Sequence, residues 1–412
     1  MKSVAILTDF VGHDPAYSLC GVVANQVKML VANGYRPRLI VRSDWDVEEY
    51  YPGAEGLLVN PGEIGNNVVN ITEKSPGEID SLVGQLKLAL AGGGVVLTHD
   101  LIYQPNMWKY HIAARRIAKA QPDIKWIHWV HSSTDMGTVS DMGKFKTECQ
   151  GMFPNSRLVA MHPEEINRKG SLYGYERDQI VIIPNPVDLI EDFHSISKQV
   201  VNRMQLHARD VIAVYPARLD RGKQVHIVIE IFEKLRHQGW NAAVVVIDFH
   251  STAGDKAKYR EEMLQGRQDW VFFTSTLPEG SYHIPHKAVM DLFEYGDFLV
   301  HPSRSESDPL TLPEAMWKRC GLMLNFDLPI FRQYDGRAQF GKFSSAIDVH
   351  TGMPGGTETS YDDRGGYMSH LASAIAYEMQ NNPVLYNHAA VRKDRSLEAV
   401  ARKNLIPAIE GG

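Results

Sequence analysis

Two glutamates stand eight positions apart in the stretch LVHPSRSESDPLTLPEAMWKRCG, residues Leu299–Gly321. Carboxylates hold hydroxyl groups strongly, so Glu306 and Glu314 could bind the hydroxyls of a polyol or a ribose. The apolar residues before them predict a buried strand, and Thr311-Leu312-Pro313-Glu314 has the pattern of a capping box that begins a helix, which we expect to end at Gly321. The free N–H groups at such a helix start bind anions. The alternative is that Glu314 only caps the helix and Glu306 is a solvated loop acid.

A basic pair lies further toward the N-terminus, in the segment PARLDRGK. Arg218 and Lys223 follow a predicted strand, Asp210–Tyr215, and precede a predicted helix. A planar guanidinium and a mobile ammonium are two common ligands of a diphosphate. The alternative is a pair of solvated surface cations.

Two histidines, His99 and His131, end apolar runs that predict buried strands, Val95–Thr98 and Trp126–Val130. Open α/β sheets bind ligands at the carboxyl ends of their strands, so both histidines are candidates for a binding or catalytic role. The alternative for each is a hydrogen-bonded structural histidine, which is how we interpret His128.

The elements that position these residues follow a strand–helix–strand order. Val4–Thr8, a helix that starts at Ser18 and the strand Arg38–Val41 form one βαβ pattern, and a second begins at Asp210. Such repeats predict an α/β fold with two parallel sheets. We therefore predict an N-terminal domain at 1–190, a linker at 191–206, a second domain at 207–395, and a last helix at 396–412 that packs back on the first domain.

Together these motifs resemble the retaining glycosyltransferases of GT-B architecture, in particular glycosyltransferase family 4. In that family a Pro-Ser pair precedes the first glutamate and Glu-Ala-Met carries the second. Here Pro302-Ser303, Glu306 and Glu314-Ala315-Met316 stand in the same register. The family's Gly-Arg-Leu-x-x-x-Lys-Gly motif is matched at Arg218 and Lys223, with Ala217 and Gln224 in place of its glycines. Its Gly-rich loop between the two glutamates is replaced by 307–311.

The resemblance implies a role for each matching residue. His131 and Glu306 would be catalytic, and Arg218 and Lys223 would bind the donor diphosphate. The base would be bound by Thr276 and Leu277, and the acceptor side would be formed by Asp9, Gly12 and His99. The donor sugar and ribose would be bound by a larger set: Glu306, Asp308, Pro309, Leu310, Thr311 and Glu314.

The fold and function that the resemblance implies are two Rossmann-like doubly wound domains facing across a cleft, and transfer of a hexose or pentose from a nucleotide sugar with retention. UDP-sugars are expected as donors before GDP-sugars, with no cofactor and no metal. The acceptor stays open among a glycan, a lipid, a small molecule and a modified nucleic-acid base. Alternatives are a sugar-nucleotide epimerase or phosphorylase of the same architecture, and a non-catalytic sugar-nucleotide binding module.

The composition is that of an ordinary globular chain, long enough at 412 residues for two domains. The net charge of −6 does not indicate a nucleic-acid partner. No apolar run is long enough for a membrane span, and three widely spaced cysteines fit a reducing compartment, so we expect a cytoplasmic protein. The five glycines of 350–366 predict an exposed loop. The sequence leaves the oligomeric state open.

Overall fold

The chain folds into two compact units, Met1–Asp188 with Arg395–Gly412, and Leu189–Asp394. The computed structural model describes residues 2–62, 64, 72–92, 94–132, 145–248, 254–278, 284–332, 342–343 and 364–411.

The first unit contains a seven-stranded parallel sheet in the order β3-β2-β1-β4-β5-β6-β7. Its strands are β1 Ser3–Leu7, β2 Arg36–Val41, β3 Glu55–Leu58, β4 Val95–His99, β5 Lys125–Trp129, β6 Ser156–Ala160 and β7 Ile180–Ile182. Its α-helices before residue 188 are α1 Ser18–Ala32, α2 Val47–Tyr50, α3 Ser75–Ala89, α4 Trp108–Ala120, α5 Lys146–Cys149 and α6 Glu165–Tyr173. Short 3-10 helices cover Pro105–Met107 and Arg177–Gln179.

Helices cover both faces of this sheet. Alternate residues of β1 belong to different core clusters, since side chains along a strand point to opposite faces. Ala5 and Leu7 pack in the cluster that includes α3 and α4. Val4 and Ile6 pack in the cluster that includes α1. The first unit is therefore doubly wound.

The second unit contains a six-stranded sheet in the order β10-β9-β8-β11-β12-β13, and all of its strand pairs are parallel. Its strands are β8 Val211–Pro216, β9 Ala242–Ile247, β10 Val271–Phe273, β11 Phe298–His301, β12 Gly321–Asn325 and β13 Lys342–Phe343. Every residue of β8 and β9 is buried, which is typical of strands with helices on both faces.

The second unit also contains eight α-helices among the described residues. They are α7 Ser195–Arg203, α8 Val225–His237, α9 Asp255–Leu264, α10 His286–Tyr295, α11 Thr311–Trp317, α12 Pro329–Arg332, α13 Arg364–Asn381 and α14 Pro383–Arg395. Short 3-10 helices cover Leu206–Ala208, Arg221–Lys223 and Thr274–Thr276.

After α14 the chain returns to the first unit. This return segment comprises α15 Leu397–Val400, a π-helical stretch Ala401–Leu405 and α16 Ile406–Glu410. Val400, Leu405 and Ile409 are buried in the same core cluster as α1. The Val187 N–H donates to the Arg395 carbonyl over 2.7 Å, so the end of the first part of this unit is bonded to the start of its second part.

The predicted α/β class with two Rossmann-like domains is confirmed. The predicted linker 191–206 is wrong, because it contains α7, whose Val200 and Val201 are fully buried in the core of the second unit. Several polar residues that suggested a linker belong to this short helix, and one of them, Ser197, is itself buried. Residues 350–363 of the predicted loop 350–366 lie outside the described residues. The last three residues of that range begin α13.

Within the described ranges, no helix is long and apolar enough to cross a membrane. All three cysteines, Cys20, Cys149 and Cys320, are buried free thiols.

Candidate functional site

The second sheet reverses its strand order between β8 and β11, which are hydrogen-bonded neighbours. The order 3-2-1-4-5-6 is that of the dinucleotide-binding Rossmann fold, in which ligands bind outside the carboxyl ends of the strands at this reversal. Residues 217–224 follow β8 and residues 302–310 follow β11. The Arg304 N–H donates to the Gly222 carbonyl over 2.9 Å, so the two loops are bonded to each other.

An ion pair joins these two loops. Lys223 Nζ lies 2.5 Å from Glu306 Oε1, and the side chains are only 21% and 12% exposed. An ion pair this far from bulk solvent is screened less than a surface pair. The structure therefore brings together two of the predicted site residues, one from each motif.

A third residue of this cluster, His301, was missed by the sequence analysis. Its Nε2 lies 3.7 Å from Glu306 Oε1, and its buried ring packs edge-on against Tyr215 and Phe331. Burial lowers the pKa of His301 to about 4, so the imidazole is neutral at pH 7. Its position at the end of the apolar run FLVH was the available signal, the same one that singled out His99 and His131.

Arg218 lies in the same loop as Lys223 but has a different partner. Its side chain is 61% exposed, and Nε lies 3.3 Å from Asp220 Oδ2. Asp220 also pairs with Lys256, whose Nζ lies 2.5 Å from Asp220 Oδ1. The hydrogen bond that Lys256 donates is the main reason that the pKa of Asp220 is lowered. The guanidinium thus remains mostly in solvent.

Directly after Lys223, Gln224 adopts a left-handed backbone with φ of 51°. The resemblance expects glycine at this position. Glycine takes positive φ without steric cost, whereas glutamine does not. The substitution therefore keeps the backbone turn and adds strain to it.

The predicted capping box at Thr311–Glu314 does not form. The N-cap is Leu310, with helical backbone angles and no side-chain cap bond. The first turn is already closed, because the Leu312 N–H donates to the Pro309 carbonyl over 3.1 Å. Thr311 therefore lies inside the helix, where its hydroxyl cannot cap the first N–H groups. Glu314 instead contacts His286, with Oε1 2.8 Å from Nε2.

The remaining predicted donor residues sit around this helix start. The Thr311 hydroxyl is buried and has no hydrogen-bond partner among the described residues. Asp308 and Leu310 are exposed and Pro309 is half-buried. A buried unpaired hydroxyl costs free energy unless a ligand or water satisfies it. Thr311 is therefore the member of this group whose polar group the structure leaves unsatisfied among the described residues.

The predicted end of this helix at Gly321 is also wrong. The helix ends at Trp317, and Arg319 takes the left-handed conformation, with φ of 63°. Gly321 is the first residue of β12, and a Cβ there would lie 2.6 Å from the ring of Phe298. Glycine is required at this position by packing between strands and not by helix termination.

The predicted base-binding residues follow β10. The Thr276 hydroxyl donates to the Phe273 carbonyl over 2.7 Å, and Leu277 is buried. Asp248, at the end of β9, organises this turn by accepting from the Ser275 N–H at 2.8 Å and from the Thr274 hydroxyl at 3.2 Å. The sequence analysis did not single out Asp248.

In the first unit, His99 and His131 are in direct contact. His99 Nδ1 lies 3.2 Å from His131 Nε2, and His99 Nε2 lies 2.8 Å from Gln26 Oε1. The backbone N–H of His131 donates to Asp100 Oδ1 over 2.8 Å. Burial lowers the pKa of both imidazoles, so the pair is neutral at pH 7. Its members end β4 and follow β5.

The other two predicted acceptor residues lie in the loop after β1. Asp9 accepts from the Tyr110 hydroxyl at 3.1 Å and lies 3.5 Å from Arg42. Burial raises the pKa of Asp9 despite these partners. A Cβ at Gly12 would meet nothing within 4 Å, so the structure imposes no steric requirement for glycine there.

No metal centre is visible in the part of the chain that the structure describes. No group of three or more His, Cys, Asp or Glu side chains within those residues could hold a metal ion.

Comparison with solved structures returns glycosyltransferases at low similarity. Sucrose-phosphate synthase from Thermosynechococcus elongatus is 17% identical with a TM-score of 0.37, over 98% of this chain and 97% of that chain. A glycosyltransferase from Rickettsia africae is 14% identical with a TM-score of 0.38, over 99% and 98%. Anabaena HepE in complex with UDP-glucose is 13% identical with a TM-score of 0.37, over the whole of both chains.

No protein-family model matches the chain, and no curated protein matches it. Because the identities are below 20% and the TM-scores below 0.4, the function of the site is inferred from its own residues.

Proposed function

We propose that the protein is a glycosyltransferase that binds a nucleotide sugar at the carboxyl edge of its second sheet. The observation that carries the proposal is the Lys223–Glu306 ion pair, which stands at the strand reversal between β8 and β11. A diphosphate sugar offers the ammonium its phosphate oxygens and offers the carboxylate its sugar hydroxyls. Each side chain thus finds a charge-assisted partner in the same ligand.

Neighbouring groups extend this donor site. Arg218 can swing its mostly exposed guanidinium from Asp220 to the phosphates. The unpaired hydroxyl of Thr311 can bond to the ligand, and Glu314 can exchange His286 for the ribose hydroxyls. The resemblance assigns the base to the turn at Thr276 and Leu277.

The proposed reaction breaks the bond between the anomeric carbon and the diphosphate oxygen. The acceptor oxygen bonds to that carbon on the face that the diphosphate leaves, and the acceptor proton goes to a phosphate oxygen. The nucleoside diphosphate departs, with Lys223 and Arg218 balancing its growing charge. This retaining course is the one that the resemblance implies, and it needs no protein base.

His131 is proposed to hold the transferred sugar. Its neutral imidazole shares one nitrogen, Nε2, with His99, which leaves Nδ1 for a sugar hydroxyl. Asp9, Gly12 and His99 are assigned to the acceptor side. Glycans, lipids, small metabolites and modified nucleic-acid bases all remain acceptor classes under this proposal, and the cytoplasmic location remains a prediction.

A donor screen tests the proposal. Thermal shift with UDP, GDP and their sugars should identify one nucleotide that raises the Tm, and mass spectrometry should then detect slow hydrolysis of its sugar donor. Interconversion of the sugar without an acceptor would indicate an epimerase, and sugar release dependent on inorganic phosphate would indicate a phosphorylase. Binding with neither transfer nor hydrolysis would favour a binding module. No nucleotide binding at all would contradict the proposal.

A further inference from the structure

A cavity of about 560 Å³ lies in the second unit, apart from the proposed donor site. Its walls come from the end of α10, from α14, from the segment between α11 and β12, and from two apolar residues that precede α7, Leu189 and Phe193. This volume is within the range of cavities that hold small organic ligands.

The cavity is at the opposite edge of the sheet from Lys223 and Glu306. Glu294–Gly296 leads directly into β11, and Trp317–Arg319 leads into β12, so both lining segments lie at the amino ends of parallel strands. The donor loops lie at the carboxyl ends. Because β11 has four residues, the two edges are separated by roughly 13 Å along the strand.

Part of the cavity wall is apolar and faces solvent. Trp317 is 79% exposed and Val384 is 54% exposed, which is unusual for two large apolar side chains at one cavity. Leu385 and Val391 continue the wall along α14. Such a surface favours a ligand with a ring or a hydrocarbon body.

The charges around the cavity do not cancel. Lys318 is paired with Glu294 at 2.5 Å, and Arg392 is paired with the buried Asp297 at 2.8 Å. The exposed guanidinium of Arg319 has no partner among the described residues, so it leaves one positive charge unbalanced.

Arg392 is a buried cation in the wall of the cavity. This side chain is 1% exposed, and its terminal nitrogens donate to Asp297 and to backbone carbonyls. Its Nε–H is buried without any hydrogen-bond partner in the described part of the chain. A buried donor without a partner costs free energy, and Arg392 is one of the residues that line the cavity.

We propose that this cavity is a second ligand site, which binds a small organic anion with an aromatic or apolar body. The body packs on Trp317 and the side chains of α14, and the anionic group binds Arg319. The site is separate from the donor site in position and in chemistry, because it has an apolar wall and its charged lining carries an excess cation.

Fluorescence titration of the full chain with 8-anilinonaphthalene-1-sulfonate tests the proposal. One probe should bind per chain, and saturating UDP should not displace it. Arg319→Gln should weaken binding about tenfold, since it removes a charge-assisted contact. N-phenyl-1-naphthylamine, which has the same rings without the sulfonate, should bind wild type and Arg319→Gln alike. Trp317→Ala should weaken both probes.

Two variants control for general effects of charge and apolar area. Lys258→Gln removes an exposed cation of α9, and Tyr386→Ala removes an exposed aromatic ring of α14 that does not line the cavity. Both should bind the sulfonate like wild type, and thermal denaturation should show every variant folded. Displacement by UDP, absence of saturable binding, or full affinity in Arg319→Gln or Trp317→Ala would overturn the proposal. UDP titrations of the same variants report on the proposed donor site separately.

Discussion

Lys223 Nζ lies 2.5 Å from Glu306 Oε1, and this contact links the loop after β8 to the loop after β11. Each residue is the main charged partner of the other in the second unit. A ligand that engages both must separate them, so part of its binding free energy replaces the ion pair. The two residues should therefore respond to mutation as one unit.

Replacement of Lys223 by alanine should weaken binding of UDP, or of the nucleotide that the screen identifies, by about tenfold or more. The lost contact is a charge-assisted hydrogen bond worth about 1.5–3 kcal/mol. Arg218→Ala should also weaken binding. Isothermal titration measures both, with Lys258→Ala as a charge-matched control on α9. Wild-type affinity in both variants would remove the diphosphate assignment.

Replacement of Glu306 by glutamine should lower the transfer rate about tenfold or more, because a neutral amide holds sugar hydroxyls less strongly than a carboxylate. The Tm should stay close to that of wild type, since the amide oxygen still accepts from Lys223. Initial rates with the identified donor measure the effect. An unchanged rate together with a large drop in Tm would mean that Glu306 is structural.

Glu314→Ala should lower donor affinity and leave the Tm almost unchanged. The sequence pattern predicted a loss of stability from a broken capping box, but the carboxylate contacts His286, whose side chain is 70% exposed. Exposed pairs of this kind contribute about 0–1 kcal/mol. Differential scanning calorimetry of Glu314→Ala beside His286→Ala measures the difference. A drop of several degrees seen only in Glu314→Ala would restore the capping role.

His131→Ala should reduce turnover far more than nucleotide affinity, because its proposed contact is with the sugar. His99→Ala removes the neighbouring ring and serves as the matched variant. If His131→Ala keeps the full rate with an acceptor that wild type uses, the imidazole is only structural. Circular dichroism must first show that both variants are folded.

Stability should fall as the pH drops below 6.5, and His128 should account for part of the loss. Burial lowers the pKa of His128 to about 3. Between that pH and 6.5 the unfolded chain therefore binds a proton at this imidazole and the folded chain does not. The stabilisation is complete above pH 6.5 and decreases as the pH falls toward 3. Between pH 7.5 and 5.0 this single group should cost about 2 kcal/mol.

Urea unfolding at those two pH values measures the effect. His128→Asn can keep the hydrogen bond that Nδ1 makes with the Thr98 hydroxyl at 2.8 Å, and it cannot take up a proton. Its stability should therefore change less between the two pH values than that of wild type. An equal change in both proteins would show that His128 does not contribute to the acid sensitivity.

The apolar runs predicted central strands of both sheets, among them β1, β4, β5, β8 and β11, because parallel strands buried on both faces are continuous apolar runs. They did not predict β3, which is largely exposed, or β12 and β13. The predicted ends of α11 failed for local reasons. Thr311 and Glu314 have the spacing of a capping box, but the turn closes one residue earlier on Pro309. Gly321 was expected to end the helix, but Arg319 takes the left-handed conformation after it, and Gly321 is needed to clear Phe298.

For the candidate site, sequence motifs named Lys223 and Glu306 but could not show that they touch, since they are far apart in the chain. His301 was missed because its role depends on the strand reversal, which sets β11 beside β8. Asp248 was missed for a similar reason, because its partners are in a turn after another strand. Sequence spacing predicts which residue types follow each strand, and the order of the strands decides which of them meet.

The return segment has a consequence for the order in which the chain folds during synthesis. The ribosome makes residues 1–188 first, yet the core around α1 also needs Val400, Leu405 and Ile409. The second unit is continuous from 189 to 394 and can complete its core before those residues exist. The first unit must then wait, partly open, until translation has passed the whole second unit. A chain that stops at residue 394 should contain a folded second unit beside a first unit prone to aggregation.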